Sequence, residues 1–391
     1  IINMKLGILT QPLSFNYGCN LQAFALQRVL ENMGHKVIIL DRWPKGKQTT
    51  FLEIVKFDIE NALKDIIRFL LNKPIYHPIK ETNEAYFGEK ILAFQNRYLK
   101  KSSVLKSTDD MAVCVKALAL DGIIVGSDQV WRPAYNVDGM LENMFLDFVE
   151  DSSLLKIAYA ASFGVSEWEY TIEQAKRCAN LIKKFDAVSV REDSGVLLCE
   201  KYLNRDASHV LDPTLLLDKS VYEQICLNNH KEITGSLFCY ILDNSPVIKD
   251  MIKKIENKIG LLSYMCLPPS PEGCYNVFNK KESIFPSIEY WLSCFSNASL
   301  VLVDSFHGAV FSIIFNKEFW VVGNKRRGMA RFTSLLKTFG LENRMLDINE
   351  VFKVDLTEKI DWKRVNSIME SEKEKSMFFL YKTFKEFNPT K

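Results

Sequence analysis

Short apolar runs alternate with amphipathic stretches along most of the chain. Lys5–Leu9 reads as a strand and is followed by a polar loop, Thr10–Gly18. From Asn20 onward, Leu21, Phe24, Ala25, Val29, Leu30 and Met33 recur at helical spacing, Gly34 supplies a C-cap, and Lys36–Leu40 reads as the next strand. A strand–helix–strand opening of this kind predicts a parallel sheet. The same grammar continues through strands at Asp121–Val125, Lys156–Ala161 and Ala187–Val190, with helices over Glu173–Phe185 and Val196–Tyr202. It resumes downstream with strands at Ser236–Leu242, Leu261–Leu267 and Glu318–Val322, and helices over Pro246–Ile259, Ile288–Phe295 and Arg331–Phe339. A charged helix closes the chain from Asn366 to about Phe387.

The pattern predicts an α/β protein of two Rossmann-like units, residues 4–204 and 205–365, followed by a C-terminal helix over 366–391. The expected boundary lies near Asn204–Ser208, and the last helix has a route back onto the first unit. Residues 51–106 read as a helical insertion in the first unit. Phe57, Leu63, Ile66, Ile67, Leu70 and Leu71 share one face there, which could contribute to a rim or an acceptor surface, with plain core packing the favoured expectation.

Leu300–Phe315, LVLVDSFHGAVFSIIF, is the stretch with the clearest chemistry. A strand-like run ends in Asp304-Ser305-Phe306-His307-Gly308, and a helical run begins at once. That order puts a histidine on the turn at the C-terminal end of a buried strand, where open α/β sheets bind ligands. The helix start offers free N–H groups and the positive end of a dipole, so an anion is the natural guest. The bland alternative is a histidine that only caps or hydrogen-bonds.

Composition narrows the function classes. Of 391 residues, 47% are hydrophobic and 25% charged, as in an ordinary globular protein, and a formal net charge of +2 gives no case for nucleic acid. No apolar run approaches membrane-span length, and no basic-then-apolar leader precedes Met4. The nine cysteines are scattered without a C-x-x-C, which argues for a reducing cytoplasm and against a zinc site or a disulfide framework. The first strand–helix turn lacks G-x-G-x-x-G, despite Asp41 at the end of the second strand. G-x-x-x-x-G-K-[ST] and G-x-S-x-G are also absent.

Other strand ends carry polar residues that could work with His307. Gly126-Ser127-Asp128 could orient a sugar hydroxyl or act in acid/base chemistry, or could be a simple Asx-turn. Arg191, beside Glu192 and Asp193, could bind a phosphate or carboxylate, or be tied in a local ion pair. Lys325-Arg326-Arg327-Gly328-Met329-Ala330-Arg331 is either an anion-binding loop or a solvated basic surface.

Taken together, these pieces resemble the polysaccharide pyruvyl transferase family. The matching residues are Asn16-Tyr17-Gly18 with the helix Asn20–Gln27, Gly126–Trp131, Tyr159–Gly164, Val190-Arg191-Glu192, Leu211-Asp212-Pro213-Thr214 and Asp304–Gly308, in the family's order. The resemblance implies a GT-B-like pair of domains facing across a cleft. It also implies transfer of pyruvate from phosphoenolpyruvate onto two hydroxyls of a sugar, in a surface polysaccharide or its lipid-linked precursor. The products would be a cyclic ketal and phosphate. A GT-B glycosyltransferase using a nucleotide sugar and a non-catalytic carbohydrate-binding relative are the alternatives. Ser305 stands where several family members carry an arginine.

On this reading Arg191, Ser305, His307, Gly308, Arg326, Arg327 and Arg331 form the phosphoenolpyruvate side, and Asn16, Tyr17, Asn20, Asp128 and Trp131 the acceptor side. His307 suits a base or a hydrogen bond to phosphate, since a helix N-terminus disfavours imidazolium. Asp128, Glu192 or neither would protonate the donor carbon. The resemblance calls for no redox cofactor or metal, and implies a cytoplasmic enzyme with room for peripheral contact at the inner membrane face.

Overall fold

The computed structural model describes residues 3–43, 65–71, 73–136, 140–151, 153–229, 231–243, 245–271, 273–323, 328–347, 351 and 353–387. Their strands, in chain order, are β1 (Lys5–Leu9), β2 (Lys36–Ile39), β3 (Tyr76–Pro78), β4 (Gly122–Val125), β5 (Leu155–Ala161), β6 (Ala187–Val190) and β7 (Ser208–His209). They continue with β8 (Leu237–Tyr240), β9 (Ser263–Tyr264), β10 (Cys274–Asn276), β11 (Leu300–Val303), β12 (Glu318–Val322) and β13 (Met345–Leu346). Parallel sheets covered on both faces call for nearly continuous apolar strands. The chain supplies them: every residue of β4, β5, β8 and β11 is buried.

The strands form two parallel sheets, β2-β1-β4-β5-β6-β7 and β13-β12-β11-β8-β9. A small antiparallel ribbon, β10-β3, joins the two halves. Strand order reverses between β1 and β4 in the first sheet and between β8 and β11 in the second. Such reversals open crevices at the C-terminal strand ends. Short bonds stitch each one: Thr10 Oγ1 donates to the Ser127 carbonyl at 2.9 Å, and the Leu242 and Asp243 amides donate to the Asp304 carboxylate at 2.7 and 2.8 Å.

The two reversals face one another. One apolar core runs between the sheets and includes Leu21 and Ile8 of the first half with Trp291, Phe295 and Phe311 of the second. Tyr17, at the start of the helix Tyr17–Asn32, stacks on Trp291 with centroids 5.6 Å apart. Gly328 packs so closely on the Gly164 carbonyl that a Cβ there would overlap it, and its φ of +86° also favours glycine. The helix Trp362–Glu386 begins beside β12, where the Trp362 indole donates to Glu318 at 3.2 Å. It then passes the segment linking the halves, where Ser376 Oγ accepts from the Leu211 amide at 3.0 Å, and reaches the first half, where Phe384 lies against His35.

Most element positions agree with the hydrophobic pattern. The expected strand Leu261–Leu267 shortens to Ser263–Tyr264, β7 extends the first sheet past residue 204, and the helical insertion departs furthest. Phe57 and Leu63 lie outside the described residues, and on the helix over residues 65–70 and just past it Ile66, Ile67, Leu70 and Leu71 are exposed rather than core. Helical spacing fixes a face; it does not supply a partner for it.

Candidate functional site

The site grows from the turns that end β4, β6 and β11 and from the segment linking the halves. After β4, the Gly126–Ser127 peptide is cis and Asp128 adopts φ +72°. The Asp128 Oδ1 accepts from the Gln129 amide at 2.8 Å and from Arg191 NH2 at 3.3 Å. Arg191, just past β6, also donates from NH1 to Asp212 Oδ2 at 2.8 Å, and its guanidinium lies 4.5 Å from the centroid of Phe306. Arg331 approaches the same ring at 5.6 Å from the helix Ala330–Phe339.

Asp212 is the hub. It begins a 3-10 turn, Pro213–Leu216, in which Oδ1 accepts from the Thr214 amide at 3.0 Å and the Thr214 hydroxyl at 2.7 Å. Its Oδ2 receives Arg191 from the first half and stands 3.5 Å from His307 Nε2 of the second. His307 sits in the first turn of the helix Phe306–Ile314. A Cβ on Gly18 would overlap its ring, so the absence of a side chain at position 18 makes room for the imidazole.

Burial makes these charges interdependent. Burial alone would raise the Asp128 carboxyl, but Arg191, His307 and Arg331 outweigh it and hold the group below the usual range. The balance at Asp212 is the same but larger, and His307 and Arg191 hold it well below that range. Burial works against the Arg191 charge, yet Asp128, Asp212 and Glu192 hold its pKa above the ordinary value. Arg331 goes the other way: burial, then repulsion from Arg191, bring it down to about 10.

Several expected site residues have other duties. Arg191 is not an open anion grip, because its two terminal nitrogens are taken by carboxylates. Tyr17 is buried, and its hydroxyl donates to the Pro286 carbonyl at 2.9 Å, so it fastens the halves rather than facing an acceptor. Asn20 is buried and donates to the Ser14 and Asn16 carbonyls, both at 2.8 Å. Trp131 is core: it stacks on Phe145 at 5.0 Å and donates to the Met144 carbonyl. Asn16 is exposed and caps its helix by accepting from the Cys19 amide at 3.1 Å.

Ser305 caps the His307 helix, accepting from the Gly308 amide at 3.4 Å. Gly308 is a packing glycine, tight against Val303 and Tyr240. Glu192 is fully buried and holds the turn after β5, accepting from Ser162 Oγ and the Phe163 and Gly164 amides at 3.1, 2.7 and 3.0 Å. Arg326 and Arg327 lie outside the described residues. Asp212 was absent from the expected site. Its signal in the sequence is the Asp-Pro-Thr capping turn, which reads as local structure until Arg191 and His307 are brought to it. Among the described residues, no group of His, Cys, Asp and Glu is arranged to hold a metal ion.

Two Rossmann-like domains with paired strand-order reversals facing across one interface define the GT-B architecture. Two solved structures illustrate the likeness. S. aureus MnaA in its UDP co-structure superposes with a TM-score of 0.52 at 9% identity, covering 98% of this chain and 99% of that one. The UDP-GlcNAc 2-epimerase of Methanocaldococcus jannaschii gives a TM-score of 0.50 at 12% identity, covering 97% and 100%. At such identities the likeness concerns the fold. No curated protein matches the sequence. The sequence model of the polysaccharide pyruvyl transferases matches residues 16–326, a span that holds Asp128, Arg191, Asp212 and His307. The chain belongs to that family.

Proposed function

We propose that the protein transfers pyruvate from phosphoenolpyruvate to two hydroxyls of one sugar in a surface polysaccharide or its lipid-linked precursor, forming a cyclic ketal and releasing phosphate. One observation carries the reading. Within the span of the family match, an imidazole from the second half meets Arg191 of the first half through the Asp212 carboxylate, where the two strand-end rims close on each other.

The chemistry needs a proton for the methylene carbon, acceptors for two hydroxyl protons, and charge to receive the leaving phosphate. Asp128 and Asp212 are held below the usual carboxylate range, so both are anionic at neutral pH and neither is the carbon acid. His307 takes that role here. The Asp212 carboxylate stands 3.5 Å from its Nε2. The protonated ring delivers its proton to the methylene carbon, and the first sugar hydroxyl attacks C2. The neutral ring takes up that hydroxyl's proton. The bond between C2 and the bridging oxygen then breaks, its electron pair leaving on the phosphate. The second hydroxyl closes the ketal and its proton departs on the phosphate. Overall one hydroxyl proton reaches carbon and one leaves with phosphate, and His307 is restored.

Arg331 supplies positive charge to the donor's phosphate and carboxylate, with Arg326 and Arg327 as further candidates. Arg191 keeps Asp128 and Asp212 ionised and in place. Asp128 and the exposed Asn16 face the acceptor.

The test combines the protein with phosphoenolpyruvate and acceptors ending in galactose, glucose or N-acetylmannosamine. Phosphate release and an acceptor mass gain of pyruvate less water are expected. Nucleotide release from a nucleotide sugar, with none of these products, would replace the reading with a glycosyltransferase. Sugar binding with no turnover of either donor would favour a binding protein.

A further inference from the structure

We infer that Asp212 is a positioning residue for His307, and that its carboxylate couples closure of the two halves to alignment of the imidazole. The inference rests on the proposed role of His307. Three observations support it. First, Asp212 is fully buried, and its Oδ1 is fixed by two bonds within its own turn, from the Thr214 amide and hydroxyl at 3.0 and 2.7 Å. The carboxylate therefore has one orientation, with Oδ2 turned to the interface. Second, Oδ2 is shared by the two halves, with Arg191 NH1 at 2.8 Å on one side and His307 Nε2 at 3.5 Å on the other. Third, His307 Nε2 is buried and makes no hydrogen bond at that separation. The ring also lies against position 18, where a Cβ would overlap it, and meets Phe306 in a T-shaped arrangement with centroids 5.2 Å apart.

The arrangement follows a general logic. A carboxylate held by its own turn can orient an imidazole and balance its charge without touching substrate. Asp212 sits on the link between the sheets, whereas His307 follows β11 and Arg191 follows β6. Parting the halves separates the imidazole from Arg191, and Asp212 can then serve only one of them. The aligned ring is thus a property of the closed molecule. A shortening of the 3.5 Å contact to a hydrogen bond when substrate fills the site fits the tightening seen in many catalytic pairs on complex formation.

The test is a double-mutant cycle read in kcat for phosphate release from phosphoenolpyruvate. Asp212→Asn keeps the shape and an acceptor for Thr214 but removes the charge. It is expected to lower kcat by about 100-fold when His307 is present, and by less than about 3-fold in a His307→Gln background, because removing one member of a working unit leaves little for the second to lose. Thr214→Val, which removes the hydroxyl bond to Oδ1 and leaves the amide bond, is expected to lower kcat by about 10-fold with KM for phosphoenolpyruvate nearly unchanged. Equal losses from Asp212→Asn in both backgrounds would overturn the inference, since a residue that merely holds Arg191 costs the same with or without the imidazole.

A second readout needs no turnover. In ¹⁵N-histidine-labelled protein, the ring resonances of His307, assigned by their loss in His307→Gln, are expected to move more in Asp212→Asn than in Asp128→Asn. Unmoved resonances in folded Asp212→Asn would overturn the inference. Absence of phosphoenolpyruvate turnover by the wild-type protein would instead strike the proposed function, and the spectra alone would then decide the pairing.

Discussion

The two strand-end rims that meet at the site differ in kind. The rim of the first sheet brings Asp128 and Arg191, and the linking segment adds Asp212; these three form a tight ion cluster. The rim of the second sheet brings His307 and Arg331, whose electrostatic partners include Asp128, Asp212 and Glu192 across the interface. The contrast is sharpest at Phe306, where two buried guanidiniums share one ring. Arg191, flanked by carboxylates, has its pKa held above the ordinary value, and Arg331, disfavoured first by burial and then by repulsion from Arg191, falls to about 10. The first rim sets two carboxylates against one guanidinium, so its cluster is net negative. The second holds a cation that a bound anion would stabilise further. The proposed chemistry draws on the second rim, which brings His307 and Arg331.

Removing the imidazole should have the largest effect. His307→Ala is expected to cut phosphate release by about 10²–10⁴-fold with the fold intact, measured by initial rates and circular dichroism. Wild-type turnover in the folded variant would end the assignment of chemistry to the second rim. Breaking the first rim should instead cost stability. Arg191→Ala strands two buried carboxylates and is expected to destabilise by about 3–5 kcal/mol in denaturant titration. A change within about 0.5 kcal/mol would mean that the cluster is not structural.

Gly18→Ala probes the space between the rims. Its Cβ must displace the His307 ring, so about 10-fold or greater loss of kcat is expected, alongside an overpacking cost of about 1–3 kcal/mol. The acid limb of the stability curve reports the first rim again. Asp128 and Asp212 titrate lower folded than unfolded, so the unfolded chain binds more protons as pH falls. Their contribution is fully present above the ordinary carboxylate range, about pH 5, and is lost as pH falls through their folded values. Asp212→Asn should flatten that limb in thermal scans taken from about pH 6 to pH 3. The smallest effect is expected at Lys337, which pairs with Asp193 across the halves at 2.9 Å with both side chains solvated. Lys337→Ala should cost at most about 1 kcal/mol, and less at high salt.

Much of this architecture is legible along the chain. Near-continuous apolar runs such as GIIV and LVLV mark strands buried on both faces, and the residues that follow each run must lie at the C-terminal rim. Asp128, Arg191 and His307 are therefore recognisable as rim residues from their order along the chain, and Arg331 as one cation of a basic stretch near the strand Glu318–Val322. The duties of Tyr17, Asn20 and Trp131 are not visible in that order. Tyr17 and Trp131 sit in polar-looking motifs, but their partners, Pro286 and Met144, are set by how the chain folds back, and Asn20 is spent on the nearby Ser14 and Asn16 carbonyls. The exposed face at Ile66, Ile67, Leu70 and Leu71 fails in the opposite sense, since an apolar stripe records helix phase but not contact.

What the sequence determined by itself is periodicity and local capping: two sets of parallel strands, their rims, the Asp212–Thr214 turn and the Ser305 cap. These depend on neighbours a few residues apart, so composition and spacing suffice to specify them. Only the tertiary structure decided that Asp212 would stand between Arg191 and His307, residues 116 positions apart in the chain (307 − 191). Charge sharing of that kind depends on distance and on the exclusion of water, and both come into being only when the two sheets close on a common core.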